Sequence, residues 1–306
     1  MLYGATGSTI LPQIIDEVQK NGADNPLVIV GMALVVIAMS FKIAIVPFHM
    51  WTPDVYTGAP TPVTGFLSAA AKAAGFAVFV RVLLTGIPLD GANWGNVLWI
   101  LAVLSMTVGN LMALRQSEVK RMLAFSSIAH AGYVLVAVVV GSASAISGVI
   151  FYSFAYAVMG TGAFGILTIR DAGRVPQTYD DLAGYGKRNP FQALMMTLFM
   201  FSLIGLPLTG GFIGKLQIFS AALDGGWVWL TVIGILNSAL SAYYYLRVVM
   251  FMYMREGALP EGTELSVKSS GFALTGLIGT AVAVLYLGVF PDKIIELASS
   301  SIQALL

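Results

Sequence analysis

Three lysines stand where apolar residues are expected. Lys42, Lys72 and Lys215 lie within hydrophobic runs at 27–46, 63–85 and 190–222. A lysine near the centre of a bilayer costs about 2.5–3.5 kcal/mol, a large part of a net folding stability of ~5–15 kcal/mol. A lysine near a helix end can snorkel to the headgroups. Lys72 cannot readily do so, because Gly65 to Val80 surround it with apolar and small residues. Lys215 follows an interruption rich in glycine and proline, whereas Lys42 is closer to the end of its run. An amine taken out of water holds its proton less firmly and can trade it near neutral pH. A charge on one such amine also disfavours a charge on the next. The bland account is that each lysine is structural and bonds a carbonyl or polar neighbour. Three of them, each beside small or helix-disturbing residues, favour proton transfer.

Polar residues accompany the lysines. Ser126, Ser127, His130 and Tyr133 are spaced to share one helix face, and Asn237, Ser241 and Tyr245 to share another. In lipid such residues face the bundle interior or water. Imidazole suits a proton relay, although His130 serves equally well as a plain hydrogen-bond partner between helices. His49 and Asp54 belong to a stretch in which Pro47 and Pro53 oppose a regular helix. Trp51 and Tyr56 there suit the membrane interface. Asp54 is read as part of a re-entry loop at the membrane surface, and His49 fits that loop or the relay. The interrupted segments 42–54 and 205–215 each carry one lysine, the pattern of inverted-repeat transporters.

The elements that must hold these side chains are membrane helices. Of 306 residues, 58% are hydrophobic and 10% charged, and the mean hydropathy is +0.85. A soluble chain carries about 25% charged residues. So little polar surface cannot cover a core in water, which excludes a soluble enzyme and a disordered chain. A net charge of +1 leaves no excess to hold nucleic acid. Without cysteine there are no disulfides or thiolate-ligated metal clusters, and two histidines are few for a metal or haem site. No phosphate loop is present, and Gly160 and Gly162 read as helix-packing residues within a span. Neither electron transfer nor nucleotide hydrolysis is expected of this chain.

Eight runs are long enough to span the hydrocarbon: 27–46, 63–85, 94–113, 120–140, 143–169, 190–222, 227–254 and 270–290. The expected fold is an all-α polytopic membrane protein of about eight transmembrane helices, broken near 42–54 and 205–215. Residues 1–26 read as the end of a preceding helix plus a polar segment, so the chain is expected to lack its N-terminal part. Lys and Arg gather in alternate loops: Arg115, Lys120 and Arg121; Arg170, Arg174, Lys187 and Arg188; Arg255 and Lys268, with Arg247 just before them. That alternation places the three loops in the cytoplasm and the C-terminus, with Asp292, Lys293 and Glu296, on the opposite side.

Three stretches carry a family resemblance. Phe41 to Val63, with Val46-Pro47-Phe48-His49-Met50-Trp51-Thr52-Pro53-Asp54-Val55-Tyr56 at its centre, resembles the subunit N family of bacterial NADH-quinone oxidoreductase, respiratory complex I. Arg121 to Tyr133 and Gly205 to Lys215 resemble the wider antiporter-like group, which includes the multi-subunit sodium/proton antiporters. The resemblance runs along essentially the whole chain. It implies a larger bundle of two inverted repeats, each with one broken helix. Residues 27–85 would be the remainder of the first repeat, 94–254 the second repeat and 270–290 a terminal helix. Lys42 would match the lysine of the first broken helix, Lys72 the central lysine, Lys215 the lysine of the second broken helix and His130 the histidine linking the halves. The family also has a glutamate on an earlier helix, and no Asp or Glu lies within any span here.

The implied activity is proton translocation in the membrane arm, with His130, Lys42, Lys72 and Lys215 transferring protons. His49, Asp54, Ser126, Ser127, Tyr133, Asn237 and Ser241 are possible accessories. The redox groups (NADH, FMN, Fe–S clusters and a quinone) would belong to other subunits, with no cofactor on this chain. Partners would be neighbouring antiporter-like subunits and lipids in the inner membrane. The rival readings are a subunit of a sodium/proton antiporter and a membrane scaffold that moves no protons.

Overall fold

The computed structural model describes residues 1–21, 25–86, 94–170, 177–256 and 271–303. Two short helices, α1 (Leu2–Thr6) and α2 (Leu11–Asn21), precede α3 (Pro26–Ile43). Asn25 starts α3 by accepting from the Leu27 amide at 3.0 Å, and Pro26 occupies a first-turn position that needs no donor. After α4 (Trp51–Gly58), α5 (Thr61–Phe66) continues through one π-helical turn, Leu67–Ala71, into α6 (Lys72–Gly86). Then come α7 (Trp94–Leu114), α8 (Val119–Val140), α9 (Ala143–Arg170), α10 (Tyr185–Arg188), α11 (Pro190–Ile204), α12 (Gly210–Asp224), α13 (Val228–Met254), α14 (Gly271–Val289) and α15 (Asp292–Gln303).

Seven continuous helices among the described residues are long and apolar enough to cross a membrane. The run read as an eighth span is two helices, α11 and α12, of 15 residues each, with the interruption between Ile204 and Gly210. The all-helical polytopic architecture and both breaks therefore match the sequence reading. The first break differs in detail. The helix stops at Ile43, Ala44 adopts a left-handed conformation (φ 60°), and the chain turns until Trp51 begins α4. Pro53 lies inside α4, in its first turn, where the missing N–H is not needed. The irregular stretch is thus shorter than 42–54.

The hub is α8. Of its most apolar 18-residue window, 94% is buried, against 22% for α14. It packs on α7, α4, α12, α9 and α13. Buried all round, it carries Ser126 and His130 to the same hydroxyl, that of Tyr245 on α13, while Ser127 meets Lys72 and Tyr133 meets Asn110.

Two further helices, α2 and α15, are amphipathic; α2 lies in the stretch read as a polar segment. Ile14 and Val18 of α2 are buried, and α2 packs on α6. Ala298 and Ile302 of α15 are buried, and α15 packs on α9. Their apolar residues recur at three- and four-residue spacing, a period visible in the sequence but shorter than a membrane span.

The basic segments meet at one end of the bundle. The Val119 amide bonds Gln177 O at 2.9 Å, and Gly184 bonds Phe251 O at 3.4 Å. Arg247 lies 4.2 Å over the Tyr179 ring. Lys120 departs from its reading as a loop cation: it is buried in the first turn of α8 and donates to Ala59 O at 2.8 Å. Arg174 and Lys268 lie outside the described residues.

Candidate functional site

Lys72 opens α6 directly after the π-helical turn. A π turn inserts an extra residue and redirects the side chains that follow. Lys72 is 5% exposed. It donates to the Ser127 carbonyl and to Ser127 Oγ, both at 2.6 Å. Among the described residues it has no carboxylate partner.

Lys215 sits one turn into α12, also 5% exposed. Its Nζ donates to Leu203 O at 3.0 Å, Ile204 O at 2.7 Å and Ser238 Oγ at 2.8 Å. The two carbonyls are the free end of α11, so the helix break supplies the acceptors. Gly205 makes this possible. Its φ of 88° ends α11, and a Cβ there would lie 3.0 Å from the Lys215 stem. Lys215 also stands 5.0 Å from the centre of the Tyr133 ring.

His130 lies within electrostatic reach of both lysines. Its Nδ1 is 2.6 Å from the Tyr152 hydroxyl and its Nε2 is 2.9 Å from the Tyr245 hydroxyl. Tyr245 OH also bonds Ser126 Oγ. A neutral imidazole must donate at one nitrogen and accept at the other, so this bridge can pass a proton in either sense. The hydroxyls flanking it come from α8, α9 and α13. Around Lys215 a second network runs through α7. Asn110 Nδ2 donates to Tyr133 OH at 3.2 Å and Asn237 Oδ1 at 3.2 Å, and Tyr244 OH donates to Asn110 Oδ1 at 2.7 Å. Ser241 Oγ donates to Ser238 O at 2.6 Å, fixing the turn that presents Ser238 to Lys215.

Thus Lys72, Lys215, His130, Ser126, Ser127, Tyr133, Asn237 and Ser241 converge. Lys42, His49 and Asp54 do not join them. Lys42 is exposed in the last turn of α3, where a cation suits the carbonyl end of the helix. Of the three lysines read within spans, the structure therefore seats two in the interior. His49 is half-buried, and its Nδ1 is enclosed with no partner among the described residues. Asp54 pairs with Arg121 at 2.7 Å, with 74% of its side chain exposed, as a surface loop requires. Replacing Asp54 by Asn is expected to lower thermal stability by less than ~1 kcal/mol, as for an exposed ion pair. Melting of the detergent-solubilised protein checks this.

Sequence reasoning missed Tyr152, Tyr244, Asn110 and Ser238. Tyr152 lies beside Ser153, Tyr244 between Tyr243 and Tyr245, and Ser238 beside Asn237, so spacing along the chain does not single them out. A polar residue inside a span was the available signal.

The family described as NADH:quinone oxidoreductase/Mrp antiporter, TM matches residues 1–241. A protein of Trichlorobacter lovleyi named NADH-quinone oxidoreductase subunit N is 48% identical over 305 residues, covering 99% of this chain and 62% of that protein. A namesake from Salinibacter ruber is 45% identical over 306 residues, 97% of this chain and 60% of its own. A chain of respiratory complex I from Thermus thermophilus superposes with TM-score 0.80 at 36% identity, covering 96% of this chain and 62% of that one. A chain of the Mrp complex from Dietzia sp. shares the fold, with TM-score 0.85 at 22% identity over 97% of this chain and 62% of that one. The chain spans about three-fifths of the length of the curated relatives it matches. With buried amines, two broken helices and a family match over residues 1–241, this chain belongs to the NADH:quinone oxidoreductase/Mrp antiporter transmembrane family.

Proposed function

We propose that this chain is a proton-translocating membrane-arm subunit of an NADH-quinone oxidoreductase, a translocase whose redox centres sit on other subunits. The observation that carries the reading is a pair of buried ammoniums, Lys72 and Lys215, with no carboxylate partner among the described residues, on either side of a histidine bonded at both nitrogens. An electrostatic or conformational push from the redox reaction would loosen the Lys72 proton. It would pass by His130 to Lys215 and leave on the far side. Moving one charge against 100 mV costs about 2.3 kcal/mol, which roughly two pKa units of switching per lysine supply. Lys42 would hand protons to Lys72 from its exposed position. The similarity to proteins named subunit N at 45–48% identity, against 22% for the Mrp chain, supports NADH-linked pumping over sodium/proton exchange. The basic end of the bundle would face the cytoplasm, with the C-terminus opposite, in the inner membrane beside other antiporter-like subunits and lipid. The domain reading follows: 27–85 completes one repeat, 94–254 forms the second and 270–290 is terminal.

Inverted vesicles carrying the assembled complex test this. NADH oxidation should acidify them without sodium, and sodium-dependent acidification would favour the antiporter instead. Tyr245→Phe removes the hydroxyl between Ser126 and His130. It is expected to slow pumping about tenfold, the worth of one hydrogen bond of ~1.4 kcal/mol, without ending assembly. Proton release per electron, compared at equal complex content, reads the difference.

A further inference from the structure

Beside Lys72 and His130 the bundle holds a cavity of about 10 Å³, whose lining also includes Phe76, Val134, Tyr152 and Ser153. That is close to the space one water needs. Two groups face this volume with capacity unspent. Lys72 uses two ammonium protons on Ser127, and an ammonium has three. Ser153 Oγ is wholly enclosed and has no partner among the described residues. A buried hydroxyl left unbonded is costly, and Ser153 lies on α9 next to Tyr152, the partner of His130 Nδ1.

We infer that Ser153 is a positioning residue that fixes one internal water between Lys72 and Tyr152, and so closes the proton path to His130. This rests on the proton-translocation reading and adds the residue that completes it. The water accepts the third Lys72 proton while Ser153 holds its oxygen. It gives one of its own protons to the Tyr152 hydroxyl, and that hydroxyl passes its hydrogen to His130 Nδ1. Lysine becomes the neutral amine and imidazole becomes imidazolium. Water and phenol are regenerated. Ser153 itself neither gains nor loses a proton overall.

The test compares Ser153→Thr, Ser153→Val and Ser153→Ala in the full-length subunit within the assembled complex. Thr and Val have the same shape, and only Thr keeps the hydroxyl. Pumping per electron should stay near normal with Thr and fall about tenfold with Val and Ala. Difference infrared spectra should lose one weakly bonded internal-water band in Val and Ala only. Equal pumping by Thr and Val, or an unchanged water band in Ala, overturns the inference. Lys72→Ala measured alongside separates the two levels. If it pumps normally, the proton-translocation reading itself fails. If it is dead while Ser153→Val is normal, only the role of Ser153 fails.

Discussion

Vesicles carrying Lys72→Ala should oxidise NADH yet translocate at least 100-fold fewer protons through this subunit, the lower bound of what a positioned proton carrier contributes. The chain should still fold. Removing a buried ammonium also removes its desolvation penalty, and leaves only Ser127 O and Oγ in need of partners. Lys72→Arg sharpens the test. A guanidinium keeps the charge and the hydrogen bonds but does not release its proton. A scaffold would tolerate Arg, whereas a carrier would be as inactive as Ala. Normal pumping by either variant, at normal assembly, would defeat the assignment of Lys72.

Gly211→Ala should be the most damaging change at a position that carries no chemistry. A Cβ there would overlap Ser202 O and lie 2.8 Å from its carbonyl carbon. Both are backbone, so no side chain can swing away. The first turn of α12 is pressed against the last turn of α11, and the Gly211 amide donates to Ser202 Oγ at 3.2 Å. Overpacking of this kind costs about 1–3 kcal/mol, and more where backbone must move. One turn on, Lys215 would lose its distances to Leu203 O and Ile204 O. Both thermal stability in detergent and proton pumping should therefore fall. Gly279→Ala is the control, because a Cβ there meets nothing within 4 Å. A Gly211→Ala protein as stable and active as this control would contradict the tight junction between α11 and α12.

The membrane helices were legible because each is a long apolar run, and length alone identifies a span. The break at Gly205 was legible because glycine and proline interrupt the run. Lys72, Lys215 and His130 were legible because a polar group within lipid has to be accounted for. Period and composition could not say which polar residues meet. Tyr152 and His130 are 22 positions apart, Tyr245 and His130 115 apart, and Lys72 and Ser127 55 apart. Those meetings depend on how α6, α9, α12 and α13 pack around α8. The same packing decided that Lys42 faces outward while Lys120, in the first turn of a helix at the basic end, is buried on Ala59 O. A lysine's cost is set by the dielectric around its nitrogen, and in a bundle that depends on which neighbours close over it rather than on the residues beside it in the chain.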